Sequence, residues 1–258
     1  MKNMKRWLKL FGFNISMLLS TLKGFSWYFR DLHKFKAQRS DTDFPFGTWY
    51  PILKDKEAAS GTASGHYFYQ DLHVAQRIFK NNPTLHVDIG SRVDGFVSHV
   101  ASFRSIKVFD IRPLKSRIKN VEFIQADFMN EIGSKFLSYC DSLSCLHVIE
   151  HFGLGRYGDP LNYYGHPTGM DNLAKVLKKG GKLYLSVPIG PQRIEFNAHR
   201  VFSVNYLLKY FEGKFIIDHF SYVDDKGMLN ENVELNKTNI ANNFNCHYGA
   251  GIFELTKR

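Results

Sequence analysis

The chain of 258 residues is long enough for one large domain with a full core, and 44% hydrophobic and 22% charged residues are ordinary for a globular protein. Its formal net charge of +10 is concentrated at one end: residues 1–40 hold nine Lys/Arg against Asp31 alone, +8, and the remainder is only +2. A nearly neutral body argues against a nucleic-acid-binding surface, and without a run of 18 apolar residues no membrane span is expected.

In chain order, the first element is an amphipathic arm. Met4, Leu8, Phe11, Ile15, Leu18, Leu22, Phe25, Phe29 and Leu32 recur at alternating spacings of 4 and 3, an a/d stripe over four heptads. A continuous helix there would be about 43 Å long, although Gly12, Asn14 and Gly24 weaken it. Two uses fit an apolar stripe with basic flanks: packing against the domain or a second copy as a homodimer, and lying on an anionic membrane surface through residues 1–36. "FGFNISMLLSTL" is similar to a signal-peptide core, but Lys23 and Gly24 interrupt it and no small-residue cleavage site follows. The arm is read as 1–39 and the domain as 40–258, with 40–69 irregular and rich in Pro, Gly, Ser and aromatics.

The body then alternates. Helical periodicity covers 70–80, "LHVDI" (85–89) reads as a strand and "GFVSHVASF" (95–103) as a helix. Strands follow at 106–110 and 121–125, a helix at 127–140 and a strand at 142–149. A helix is expected over 169–181, with its double glycine as C-cap, then a strand at 182–188 and a helix at 205–211. Strands at 215–223 and 251–257 close the chain, separated by a long Asn-rich connection, 224–247, read as a lid or a disordered hairpin. Strand–helix alternation with short connections predicts an α/β fold with a mostly parallel sheet covered on both faces. The odd count of cysteines, Cys140, Cys145 and Cys246, in apolar company predicts reduced thiols in a cytoplasmic protein.

Parallel sheets bind ligands at the carboxyl ends of their strands. Three successive strand ends here carry acids: Asp88 in "VDIGSRVDG", Asp110 twenty-two residues later, and Asp127 in "QAD". Such acids suit a ligand with hydroxyl and amino groups and repel one rich in phosphate. Alone, each is equally a turn or helix-capping residue.

These features, with "VIEH" at the fourth strand and "LKKGGKLYLSVP" before the fifth, resemble the class I S-adenosylmethionine-dependent methyltransferases over roughly residues 65–258. The resemblance implies a Rossmann-like sandwich with a seven-stranded, mostly parallel sheet. More narrowly, "GHYFYQDLHVAQ", "DIGSRVDGFVSH", "HVIEHFGLGRYGDP" and "NAHRVFS" resemble a bacterial domain-of-unknown-function family associated with surface-polysaccharide production. The implied cofactor is S-adenosylmethionine, held by Asp88, Gly90, Ser91, Asp110, Ile111, Asp127, Phe128 and His147, with Asp110 on the ribose and Asp127 on the adenine edge. The chain departs from the family's G-x-G at Gly90-Ser91-Arg92, where Arg92 replaces the second glycine. That departure motivates an alternative, a methyltransferase-like binding or scaffold protein without catalysis.

His147-x-x-Glu150-His151 spells a zinc-hydrolase motif, but metal binding needs it on a helix. At a strand end the two histidines would be about 13 Å apart, so no metal is expected. Glu150 and His151 on the loop after the fourth strand, and His199 after the fifth, are instead candidate catalytic groups, a histidine being the usual proton acceptor near neutral pH. Arg156, Tyr157, Asp159 and His166 of the Gly/Tyr/Pro-rich loop, with Arg200, suit a glycan or nucleotide-sugar acceptor. By the family analogy, O-methylation of a sugar built on a lipid carrier gives a cytoplasmic enzyme a use for peripheral attachment at the inner membrane.

Overall fold

The computed structural model describes Trp7, residues 9–38 and residues 44–258, and divides into two compact units, Met1–Thr62 and Ala63–Arg258. Met4 and Leu8 of the apolar stripe, with Lys2, Lys5, Arg6 and Arg39, lie outside the described residues. Residues 44–62, expected in the domain, fall in the first unit.

In the first unit, helix α1 (Ile15–Ala37) is shorter than the stripe implies. Gly12 turns the chain at φ +81°, and the side chain of Asn14 caps the helix by accepting from the Met17 N–H at 3.1 Å. The helix continues through Gly24, where Leu53 packs closely: a Cβ would come within 2.7 Å of Leu53 Cβ. Trp49 stacks near Phe25 and Phe29, 5.9 Å from each ring, and Lys56 pairs with Asp31 and sits over Trp27.

The second unit is built on an eight-stranded sheet. Its strands are β1 (His86–Ile89), β2 (Ile106–Asp110), β3 (Val121–Gln125), β4 (Cys140–Leu146), β5 (Leu177–Ile189), β8 (Phe215–Val223), β9 (Leu229–Asn230) and β10 (Gly249–Lys257). Their order is β3-β2-β1-β4-β5-β10-β8-β9; β1 to β5 are parallel, while β10 runs antiparallel between β5 and β8. The expected sheet is therefore present, with the two-residue β9 as an eighth, edge strand. A separate ribbon pairs β6 (Arg193–Glu195) with β7 (His199–Val201).

Helices α2 (His66–Asn81) and α3 (Ser98–Ala101), with the Val93–Val97 turn leading into α3, cover one face, burying Val74, Ile78, Phe96 and Val100. On the other lie α4 (Gly165–Val176) and α5 (Val204–Phe211), burying Leu173, Val176, Leu207 and Phe211.

Three expected elements differ. Residues 127–140 are not a helix: the Asp127 side chain takes the Met129 N–H at 2.8 Å, a local turn that competes with helical bonding. Phe136 and Tyr139 of that segment pack edge-on to Phe109 instead. The helix at 169–181 ends at Val176, because the N–H groups of Ser138 and Tyr139 bond the carbonyls of Lys175 and Val176 at 2.8 and 2.7 Å. Gly180 and Gly181 consequently lie in β5, beside a register shift against β4, and not at a cap. The 224–247 connection starts as a tight antiparallel hairpin between β8 and β9 and continues through a short α6 (Lys237–Ala241), and its Phe244 and Cys246 are buried. Phe244 holds a left-handed φ of +58° with its ring 5.0 Å from those of Phe220 and Tyr222. All three cysteines are free and buried.

Candidate functional site

A cavity of about 330 Å³ opens at the carboxyl ends of β1 to β4, within the size range of small-molecule sites. Its walls come from the loops leaving those four strands, from Tyr67 of α2, and from the 152–159 segment.

The loop after β1 turns at Gly90, φ +70°, where a Cβ would meet Val148 Cγ1 at 2.7 Å, so only glycine fits. Asp88 shapes this loop from beneath. It is wholly buried and accepts from Ser91 N (3.0 Å), Ser91 Oγ (2.7 Å) and Ser144 Oγ (2.6 Å). Burial pushes its carboxyl up to about 7. Arg92 turns outward into an ion pair with Asp94, 2.7 Å, and does not plug the cavity, whose rim it contributes to. Gly95 sits in the wide turn entering α3, with a Cβ-equivalent position 2.7 Å from Asp71 Oδ2.

At the end of β2, Asp110 faces the cavity, but Arg112 holds it: Nε reaches Oδ1 at 3.0 Å and Nη2 reaches Oδ2 at 2.6 Å. At the end of β3, Asp127 lines the wall beside Phe128, whose ring is edge-on to Phe109. Ile111, Phe109, Phe128 and Met129 make an apolar slab next to these acids.

After β4 the chain turns at His147, a non-glycine at φ +53°, into the short 3-10 turn Ile149–His151. Glu150 lies behind two histidines: its Oε1 is 2.8 Å from His147 Nδ1 and 3.7 Å from His151 Nε2. Burial raises Glu150, but the charge of His147 and its hydrogen bond, then His151, outweigh it and keep the group below the ordinary carboxylate range. Glu150 Oε2 and His147 Nε2 are buried without a hydrogen-bond partner. His151 Nδ1 donates to the Ala198 carbonyl at 2.7 Å, since a carbonyl only accepts, so the neutral ring is left with Nε2 as its acceptor. Burial lowers the His151 pKa, which favours that neutral form.

The matching family model spans residues 96–248, more than half of the chain, and is described as Caenorhabditis protein of unknown function, DUF268. The chain belongs to this family. Its description corrects the bacterial family expected from the motifs. No curated protein sequence matches this DUF268 chain. Among solved structures it is similar to the N-methyltransferase NodS from Bradyrhizobium japonicum WM9 in complex with S-adenosylhomocysteine: TM-score 0.50, 11% identity, 75% of this chain and 88% of that one. It is also similar to the 1,6-didemethyltoxoflavin-N1-methyltransferase of Burkholderia thailandensis, with bound 1,6-didemethyltoxoflavin and S-adenosylhomocysteine: TM-score 0.52, 12% identity, 73% and 78% covered. A third is the [4+2]-cyclase SpnF, TM-score 0.52, 13% identity, 73% and 80% covered. At these identities the likeness shows a class I methyltransferase fold, and the cyclase illustrates that a fold does not by itself fix the reaction.

Of the expected cofactor residues, Gly90, Asp110, Ile111, Asp127, Phe128 and His147 line the cavity; Asp88 and Ser91 do not. Of the catalytic candidates, His151 lines it, Glu150 stands behind it, and His199 lies away, 3.4 Å from Glu195 and with its ring 4.9 Å from that of Tyr248. Arg156, Tyr157 and Asp159 line it, Asp159 pinning the loop by accepting from the N–H groups of Gly153, Gly155 and Tyr157. His166 and Arg200 are not on the wall. His166 bonds Tyr206 at 3.1 Å, and the buried Arg200 is a strut holding the carbonyls of Phe152 (2.6 Å) and Tyr163 (3.1 Å). Sequence reasoning missed Tyr67 and Arg112. Arg112 had a signal, a base two residues after the strand-end acid; Tyr67 comes from a helix far along the chain and had none. Among the described residues, no three His, Cys, Asp or Glu are grouped to hold a metal ion.

Proposed function

We propose that the chain is an S-adenosylmethionine-dependent methyltransferase acting on a hydroxyl oxygen of a sugar-bearing acceptor. The observation that carries this is one cavity bringing together the Gly90 turn, the strand-end acids Asp110 and Asp127, an apolar slab, and the base His151. The donor set fits the cofactor. Asp110 and Asp127 offer acceptors for a diol and an amino group, the Phe109–Phe128 slab suits a purine face, and the missing Cβ of Gly90 permits close backbone approach. S-adenosylhomocysteine in two neighbours of this fold supports the same choice.

S-adenosylmethionine, when bound, supplies an electrophilic methyl group. A hydroxyl oxygen that accepts it must lose a proton, and His151 is a lining group whose Nε2 can take it. The resulting imidazolium is stabilised by Glu150 Oε1, 3.7 Å away, making Glu150 a positioning residue. Tyr67, Arg156 and Tyr157 give the acceptor side the aromatic and polar surface that sugars favour. Titration calorimetry with S-adenosylmethionine and S-adenosylhomocysteine tests this reading. Micromolar binding is expected, and no heat at millimolar ligand would leave the binding or scaffold alternative in its place.

We further propose that the first unit attaches the protein to an anionic membrane surface. Phe11, Phe13, Ile15, Leu18, Leu19 and Leu22 are exposed, as are Phe44, Trp49 and Tyr50, and Lys9, Lys23, Arg30, Lys34 and Lys36 accompany them. Aromatic and apolar groups beside basic ones suit a lipid interface, at about 1 kcal/mol per basic residue near the surface. No described helix is long and apolar enough to cross a membrane. Flotation with phosphatidylserine vesicles at low salt should recover the full-length chain, and Leu18→Glu with Leu22→Glu should abolish it. Failure to float, with a concentration-dependent dimer lost in the same variant, would assign the stripe to self-association.

A further inference from the structure

The carboxylate best placed for a ribose is already taken. Asp110 accepts three donors from one residue: the Arg112 backbone N–H at 2.8 Å, Nε at 3.0 Å and Nη2 at 2.6 Å. Both carboxylate oxygens are engaged, and the pair is lopsided in burial, Asp110 being 11% exposed and Arg112 44%. A guanidinium this exposed is well solvated when it leaves, and the carboxylate it uncovers then needs new donors such as the hydroxyls of a ligand.

The surroundings show where it can go. The Arg112 guanidinium lies 4.5 Å from the centre of the Tyr157 ring, and that of Arg156 lies 5.2 Å from the same centre. Arg156 donates to the Ala198 carbonyl at 3.0 Å, but among the described residues no carboxylate forms an ion pair with it. Two guanidinium groups thus contact one cavity-lining phenol, and the first of them also holds Asp110. An anion beside that ring would have two guanidinium groups to pair with, and arginines are the side chains best shaped to hold carboxylate or phosphate oxygens.

We propose that Arg112 is a two-position residue that links the two halves of the cavity: closed, it occupies Asp110; open, it frees Asp110 for a diol and joins Arg156 around an oxyanion of the acceptor. The acceptor class is then an acidic one, carrying a phosphate or a carboxylate. This rests on the cofactor reading above for the identity of the diol. Because each ligand favours the open position, each strengthens the other's binding by the same factor.

The test is calorimetry of the full-length chain with S-adenosylhomocysteine at constant ionic strength, alone and with saturating inorganic pyrophosphate or glucuronate. Pyrophosphate and glucuronate distinguish a phosphate from a carboxylate as the source of the oxyanion. The parent should bind S-adenosylhomocysteine about fivefold tighter with the matching anion present. Arg112→Gln should bind it about threefold tighter than the parent without any anion, and should lose the enhancement. Arg156→Gln should also lose the enhancement. Arg112→Lys, which keeps the charge but cannot span both oxygens, should fall between parent and Arg112→Gln. A parent that binds S-adenosylhomocysteine with no response to either anion, and an Arg112→Gln variant no tighter than it, overturns this proposal alone. A parent that binds no S-adenosylhomocysteine overturns the cofactor reading and this proposal together.

Discussion

The ends of β1 and β2 carry the same residue type for opposite purposes. Asp88, one position before the end of β1, is wholly buried and gives its carboxylate to Ser91 and Ser144. Asp110, the last residue of β2, lines the cavity and is held by the exposed Arg112. Both ends look alike as strings of letters. Sheet register separates them: Asp88 pairs with Ser144 on β4 and shares its face with His86, which lies 2.8 Å from Ser142 Oγ and 3.2 Å from Ser144 Oγ. Asp88 therefore belongs to a buried polar seam across β1 and β4, and Asp110 stands at the cavity wall. One acid builds the site, and the other stands on its wall, held there by Arg112.

Replacing each aspartate by alanine should break this contrast most visibly. Asp88→Ala strands the Ser91 and Ser144 donors in the core and should cost about 2–4 kcal/mol of unfolding free energy by urea titration. Asp110→Ala should cost under about 1 kcal/mol of stability, because Arg112 turns to solvent. The same change should weaken S-adenosylhomocysteine by about 1.5–3 kcal/mol in calorimetry. Equal losses of stability in the two variants would erase the distinction. Gly90→Ala, between the two acids in the chain, should cost about 1–3 kcal/mol, since it adds a Cβ at φ +70° against Val148.

A smaller effect sharpens the same comparison through pH. The folded pKa of Asp88, about 7, lies above the ordinary carboxylate value of 3.8, so the folded protein holds this proton more tightly than the unfolded chain. The associated stability is fully present below about pH 4 and is lost as pH rises through 7. Unfolding of the parent measured against Asp88→Asn should show the parent's relative stability falling across that window. A flat difference would place the Asp88 pKa near its ordinary value.

The smallest expected effect concerns the other wall. Glu150 raises the His151 pKa while burial lowers it further. Glu150→Gln should therefore move the His151 titration lower still, read from its ring proton resonance. An upward movement would mean that Glu150 does not face this histidine as a charge.

The alternation of strands and helices, the sheet type, and the strand-end positions of Asp110 and Asp127 were legible in the sequence, because hydrophobic period and turn residues are local properties. Local pattern misled at 127–140, where apolar spacing suited a helix but the Asp127 side chain closed a turn. It also misled at 177–181, where Ser138 and Tyr139, just ahead of β4, bonded the last carbonyls of α4 and ended it early.

The separation of neighbours along the chain into wall and support was decided only in three dimensions. His151 lines the cavity, Glu150 backs it, and Arg200 braces the loop behind, although all are polar residues on loops or edges. The sequence by itself determined which chemical groups gather at the carboxyl edge of the sheet, since strand ends follow from local hydrophobicity. Which of those groups face the ligand was determined by cross-strand register and by long-range hydrogen bonds, such as Arg200 to Phe152 and His151 to Ala198. Such partners are set by packing between distant segments, and no local spacing encodes them.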